Sequence, residues 1–154
     1  STEELETINL PPFKAAIAAD VSAFMTSHAL YPLLDPEHPA TVSENILTVL
    51  LRQRLFFNGL IITDDLEMGA MAAHGDVASG ALAALRAGSD ILLICKDPQN
   101  VMASFDLIRD RILRSEIPLM RLIQAAERIQ NAKSRFLKRR TKIAMTRIKR
   151  YFKL

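Results

Sequence analysis

The sequence predicts an α/β fold, and three observations carry the prediction. Short apolar runs appear at 21–28 ("VSAFMTSH"), 60–63 ("LIIT") and 89–95 ("SDILLIC"), and a helical pattern follows each. The order β-α-β-α-β-α implies right-handed parallel crossovers. "LIIT" is β-branched and apolar on both faces, as in parallel sheets covered by helices. Three strands are few for a doubly wound sheet or a barrel. The pattern alone therefore describes part of a larger α/β domain.

The first strand ends at His28. "YPLLDPEHPAT" then carries Pro32, Pro36 and Pro39 and reads as loop. "TVSENILTVLLRQRLF" sets Ile46, Leu47, Leu50, Leu51 and Leu55 at helical spacing, and Thr41 and Glu44 at the spacing of a capping box. Asn58-Gly59 breaks this helix before the second strand. A loop or short helix follows, then the Ala-rich helix "VASGALAALRAG", closed by Gly88. After the third strand, Asp97 is placed as an N-cap and Pro98 at the first helical position. Residues 118–138 continue helically, with Leu119, Leu122, Ile123, Ala126 and Ile129 on one stripe. The chain has no internal repeat and no low-complexity segment.

At 154 residues, with 49% apolar and 24% charged residues, the chain is long enough to bury a core and reads as globular. No apolar run reaches the ~20 residues of a spanning helix. Cys95 is the single cysteine, so no internal disulfide forms, which favours a reducing compartment. The start, "STEELETINLPPF", has neither Met nor the pattern of a signal peptide, and fits an excised or truncated piece. It does not settle localisation.

The net charge of +3 conceals a division. Residues 133–154, "KSRFLKRRTKIAMTRIKRYFKL", hold ten Lys or Arg and no acid, whereas residues 1–132 carry −7. Phe136, Ile143, Ile148 and Phe152 recur among these cations at roughly helical intervals. The tail then reads as a solvated extension of the last helix in preference to a contact for anionic lipid or nucleic acid.

Functional groups of parallel α/β folds gather where strands end. Asp64 and Asp65 stand there, directly after "LIIT", and alternation points neighbouring side chains in opposite directions. One carboxylate faces the mouth of a site and the other the helix layer. Alternation does not say which. Asp65 reads as a cap of the turn "LEMGAM" and Asp64 as the functional group. His28, ending the preceding strand, lies at the same rim, either against a polar ligand or bonded to a loop carbonyl. His38 and His74 read as surface residues. Asp64, Asp65 and Glu67 could be metal ligands, but without a matching His or a third carboxylate at a plausible spacing that signal is weak. None of the five glycines forms a phosphate-binding loop.

"PF" at 12–13, "MTSHALYP" at 25–32, "PATVS" at 39–43, "LLRQRLFFNGLIITDDLEM" at 50–68 and "AGSDILLIC" at 87–95 occur in an order and spacing that closely resemble the catalytic domain of glycoside hydrolase family 3. Within it, the chain is most similar to the bacterial β-N-acetylhexosaminidase (β-N-acetylglucosaminidase) branch. The resemblance covers roughly residues 5–138. It implies a (β/α)8 barrel of which this chain supplies the sixth, seventh and eighth strands and their helices. Residues 1–138 would form that C-terminal portion and 139–154 a basic helical extension.

The resemblance also implies roles. The first Asp of the family's "[ST]DD" motif, its nucleophile, lands on Asp64. Asp65 and Met68 belong to the same substrate-facing turn, and His28 matches the His of "M-x-x-H". The implied reaction is retaining hydrolysis of terminal N-acetylglucosaminides through a covalent glycosyl-enzyme, in the cytoplasm, without cofactor or metal. Its proton donor, a His paired with an Asp after the fifth strand, matches nothing here. Nor does the sugar-holding Lys-His motif of the fourth strand. The expectation is that the chain alone is inactive or nearly so, and that a complementary N-terminal half-barrel is its partner. A departure is "AAD" at 18–20, where the family usually has Gly near the last position.

Overall fold

The structure, a computed structural model, describes residues 1–137 and 145–152, and within them all side chains except those of residues 72–74, 147 and 148. β1 (Ala23–Met25), β4 (Leu60–Asp65) and β5 (Ile91–Leu93) form one parallel sheet in the order β1-β4-β5. Ala23 pairs with Leu60, Met25 with Ile62, and Ile62 in turn with Ile91. Among the described residues, the outer edges of β1 and β5 have no strand partner.

Burial alternates along β4. Ile61 and Thr63 are fully buried, while Leu60, Ile62 and Asp64 are half-buried. Ile61 packs with Leu47, Phe57 and Ala87, so this face lies under the helices. The opposite face, with Met25 at 61% exposure, is only partly covered. Burial on both faces of the second strand, as the apolar composition predicted, is therefore not found among the described residues.

Before the sheet come a single turn, α1 (Thr2–Glu4), and α2 (Pro11–Ala18). α2 leads into Asp20 at φ +60, a left-handed conformation. Glycine adopts that backbone more readily than aspartate does.

The Pro-rich stretch is not a plain loop. β2 (Leu30–Tyr31) and β3 (Asp35–Pro39) form a small antiparallel hairpin. Proline is tolerated because this two-stranded piece is all edge. Asp35 organises it. Its carboxylate accepts the N–H groups of Glu37 (3.1 Å) and His38 (3.0 Å) and the Ser43 hydroxyl (2.6 Å). The Ser43 hydroxyl above all, with those N–H groups and the His38 ring, holds the Asp35 carboxyl down at about 2, against its burial. His38 is surface-exposed on one side, but its Nδ1 lies 3.3 Å from Asp35.

The helix expected over 41–56 spans Asn45–Arg54 and is wound as a π-helix, whose N–H groups reach five residues back. Leu55 N–H to the Leu50 carbonyl, 2.9 Å, closes it. The expected Thr41/Glu44 capping box is absent: Glu44 makes no side-chain cap bond, and Ser43 Oγ accepts from Ile46 N–H at 3.2 Å. Thr41 instead lies in a 3-10 turn, Ala40–Val42, fully buried and engaged elsewhere. The chain reverses through Phe56 at φ +55, not through Asn58-Gly59. Gly59 is needed for another reason: a Cβ there would sit 2.6 Å from the Phe57 ring and 2.7 Å from the Ser22 carbonyl.

α3 (Val77–Ala87) begins at Asp76, which accepts Ser79 N–H, and ends at Gly88 with φ +132. α4 (Pro98–Leu113) begins at Asp97, which accepts Gln99 N–H, as the sequence predicted. α5 (Leu119–Phe136) contradicts the simple reading of its apolar stripe. Such a stripe ordinarily faces the core. Here Leu119, Leu122 and Ile123 are 58%, 42% and 39% exposed, and Ala125 with Arg121 and Arg128 turns inward.

The inward arginines meet Asp90 at the amino ends of the strands. Its side chain, 0% exposed, accepts from Arg52 Nη2, from Arg128 Nη1 (3.0 Å) and from Ile61 N–H (3.0 Å), with Arg121 Nη2 at 3.6 Å. Burial pushes the Arg52 guanidinium down to about 10, with Asp90 opposing, so it stays charged at neutral pH. This ion cluster ties α5 to the sheet and explains its inverted face. α6 (Met145–Phe152) follows. The expected boundary between residues 138 and 139 lies outside the described residues.

Candidate functional site

The carboxyl ends of β1, β4 and β5 bring His28, Asp64, Asp65, Glu67 and the 95–97 backbone together. The carboxylate pair ends β4 rather than following it. Between the pairs Ile62–Ile91 and Asp65–Leu93, β4 holds one residue more than β5. Thr63 makes this bulge possible, because its hydroxyl replaces a backbone carbonyl and accepts Leu93 N–H at 2.9 Å. A bulge re-aims side chains at the end of a strand. It releases Asp64 from the ladder on the half-open face of the sheet.

The two aspartates then differ. Asp64 Oδ1 accepts Asp65 N–H at 2.8 Å, and its other oxygen has no hydrogen-bond partner among the described residues. Asp65 Oδ1 accepts Glu67 N–H (3.1 Å) and Cys95 N–H (3.2 Å), joining the turn to the end of β5. One carboxylate is tied to the backbone after β4 and after β5, and the other keeps an oxygen available.

His28 is tied as well. Nε2 lies 2.9 Å from the Asp65 carbonyl, and since a carbonyl only accepts, Nε2 carries a proton. Nδ1 lies 2.8 Å from Thr41 Oγ1, which donates to the Ser27 carbonyl (3.0 Å) and lies 2.8 Å from Thr26 Oγ1. Both ring nitrogens thus meet protein groups. Met68 N–H also reaches the Asp65 carbonyl, at 3.1 Å, and its side chain stands 45% exposed beside the pair.

Glu67 closes the arrangement from behind. It accepts the N–H groups of Lys96 and Asp97 and the Asn100 amide (2.8 Å) at the start of α4. The Asn100 amide, with the N–H groups of Lys96, Asp97 and Cys95, holds the Glu67 carboxyl below the usual carboxylate range. Among the described residues no group of three His, Cys, Asp or Glu is placed to hold a metal. Sequence reasoning missed Thr41, Thr63 and Glu67 as supports. "PATVS" and the bulge inside "LIITDD" gave no sign of contacts reaching 13 to 33 residues along the chain. The side chain of His74 lies outside the described residues.

A groove of about 680 Å³ lined by Asp35, His38, Glu44, Ser79 and Arg86 lies on the helix side of the molecule and contains none of these site residues. The Asp64 face is open, not a closed pocket. It presents a carboxylate oxygen of Asp64 without a hydrogen-bond partner among the described residues, on a turn braced by Asp65 and Glu67.

Residues 1–132 match the family described as the glycosyl hydrolase family 3 N terminal domain. The chain is 42% identical over 96 residues to a beta-hexosaminidase of Methylobacillus flagellatus, covering 62% of this chain and 27% of that protein. A beta-hexosaminidase of Methylococcus capsulatus is 38% identical over 109 residues, 71% of this chain and 32% of that one. The structure superposes with TM-score 0.83 and 35% identity on a glycoside hydrolase family 3 beta-N-acetylglucosaminidase from Paenibacillus sp., covering 86% of this chain and 26% of that chain. The chain therefore spans about a third or less of the length of these relatives.

Proposed function

Since the chain belongs to glycoside hydrolase family 3, we propose that it carries the nucleophile of a retaining β-N-acetylglucosaminidase. The substrate is terminal β-linked N-acetylglucosamine of glycans or peptidoglycan fragments, and the site of action the cytoplasm. Asp64 is the nucleophile. Its free oxygen attacks the anomeric carbon, the bond to the leaving oxygen breaks, and water later releases the sugar. Asp65 N–H steadies the other oxygen of Asp64, and Met68 borders the bound sugar. His28 donates to the Asp65 carbonyl and holds the turn, acting through the backbone rather than on the sugar. The observation that carries this reading is the contrast between a tied Asp65 and a half-free Asp64 on the open face of the sheet.

The acid that protonates the leaving group must stand within roughly 5 Å of the nucleophile, and the Asp65 and Glu67 carboxylates on this turn are already taken up by N–H donors. The reading therefore includes the remaining strands, as a (β/α)8 barrel completed by further polypeptide. The two unpaired sheet edges, Met25 on the half-open face and the outward stripe of α5 favour the same conclusion. A second reading, a non-catalytic assembly module, rests on those same surfaces. Mixing the chain with a polypeptide bearing the first five strands of a relative separates the two. Hydrolysis of an aryl N-acetylglucosaminide should appear only in the mixture and vanish with Asp64→Ala. A mixture that assembles but does not hydrolyse favours the module. Hydrolysis by the chain alone sinks the claim that it is incomplete.

A further inference from the structure

The family match ends at residue 132, and the most basic part of the chain lies beyond it. Residues 133–154 hold ten Lys or Arg and no acid, against −7 for residues 1–132. Charge alone specifies no partner, because a solvated extension is equally rich in Lys and Arg. The structure adds a second feature. α6 (Met145–Phe152) is a helix whose described apolar side chains are all outside: Met145 at 66% exposure, Tyr151 at 83% and Phe152 at 65%.

At 100° per residue, Met145 and Phe152 fall within about 20° of each other, and Arg150 lies on the far side. Lys149 flanks the apolar line, where a long stem can follow apolar material while its ammonium stays in water. Tyr151 and Phe152 stand edge to face, ring centroids 5.2 Å apart, so the aromatic surface is continuous. Upstream, Arg135 lies over the exposed Phe136 ring, 4.9 Å from its centroid, and Leu137 is 62% exposed. Apolar and cationic groups thus alternate in space at both described ends of the tail.

We propose that this C-terminal segment docks the protein on an anionic lipid surface, with α6 lying in the headgroup plane. An aqueous extension gains nothing from three exposed large apolar side chains. A purely phosphate-reading tail needs the cations but not the Met145–Phe152 line. An anionic bilayer uses both, by attraction to the headgroups and by burial of the apolar side. The acidic body would be repelled by the same surface, which leaves the tail as the contact. No described helix is long and apolar enough to cross a membrane, so the contact is peripheral. This inference does not rest on the role of Asp64.

The test is co-sedimentation of the full chain with phosphatidylcholine vesicles, with and without about one-third phosphatidylglycerol. Binding is expected only to the anionic vesicles, and should fall at least about tenfold when salt rises from about 0.1 M to 1 M. Truncation after residue 137 should abolish it while leaving the thermal transition of the body unchanged. Tyr151→Ser with Phe152→Ser, at unchanged charge, should weaken it several-fold. The proposal is overturned if truncation leaves binding intact, if the double variant binds like the parent, or if neutral vesicles bind equally. Tighter binding to a single-stranded or duplex oligonucleotide than to the anionic vesicles also overturns it.

Discussion

Two carboxylates at opposite ends of the sheet are treated in opposite ways. At the amino ends, Asp90 is wholly buried and saturated by three arginines and the Ile61 N–H. At the carboxyl ends, Asp64 is half-buried, takes one backbone N–H, and keeps an oxygen without a described partner. A saturated carboxylate is part of the frame, because removing it strands the cations around it. An under-satisfied one adds little to the frame and remains available for chemistry. The support that Asp64 lacks goes to its surroundings instead: Asp65, Glu67 and His28 are all bonded to backbone.

Substitutions can break this contrast. The largest effect is expected at Asp90: Asp90→Ala leaves three partly buried guanidinium groups uncompensated and should cost about 3–5 kcal/mol in urea denaturation. Acid should act on the saturated hairpin carboxylate next. Asp35 has its pKa lowered from 3.8 to about 2 in the folded state. Its stabilisation is therefore complete above 3.8 and lost as pH falls toward about 2, a change of about 2 kcal/mol that Asp35→Asn should remove from the acid limb. Thr41→Val removes the hydroxyl under His28 and should cost about 1–3 kcal/mol. It should also shift the His28 ring resonances, which a loss of packing elsewhere would leave in place.

The smallest effects sharpen the contrast. Asp20→Gly should stabilise by up to about 1 kcal/mol, since the left-handed conformation favours glycine and the exposed Arg135 pair is worth little. Asp64→Asn should change stability by less than about 0.5 kcal/mol, as a substitution that breaks no partnership.

Much of this was legible in the sequence, for identifiable reasons. The three strands, the Asp97-Pro98 start of α4 and Gly88 were readable because apolar runs, caps and φ preferences are local. The carboxylate pair stood out because two acids beside a buried strand are costly without a purpose. What escaped was set by distant partners. Thr41 looked like a cap until His28 and Thr26 came next to it, and the α5 stripe looked inward until Asp90 drew Arg121 and Arg128 to the core. The bulge in β4 is invisible in "LIITDD" because it depends on Leu93 bonding to a threonine side chain. The Pro-rich hairpin was hidden by residues that usually forbid strands and here lie at an edge.

The central claim is that Asp64 is the reacting carboxylate and Asp65 its brace. It is tested most directly by covalent trapping. A slow, activated N-acetylglucosaminyl fluoride needs little acid assistance, so it can be offered to the chain mixed with a polypeptide bearing the first five strands of a relative, followed by peptide mass spectrometry. The account predicts one glycosyl adduct, on Asp64, absent in Asp64→Asn and retained in His28→Gln. An adduct on Asp65 or Glu67, or turnover that survives Asp64→Asn, would contradict it.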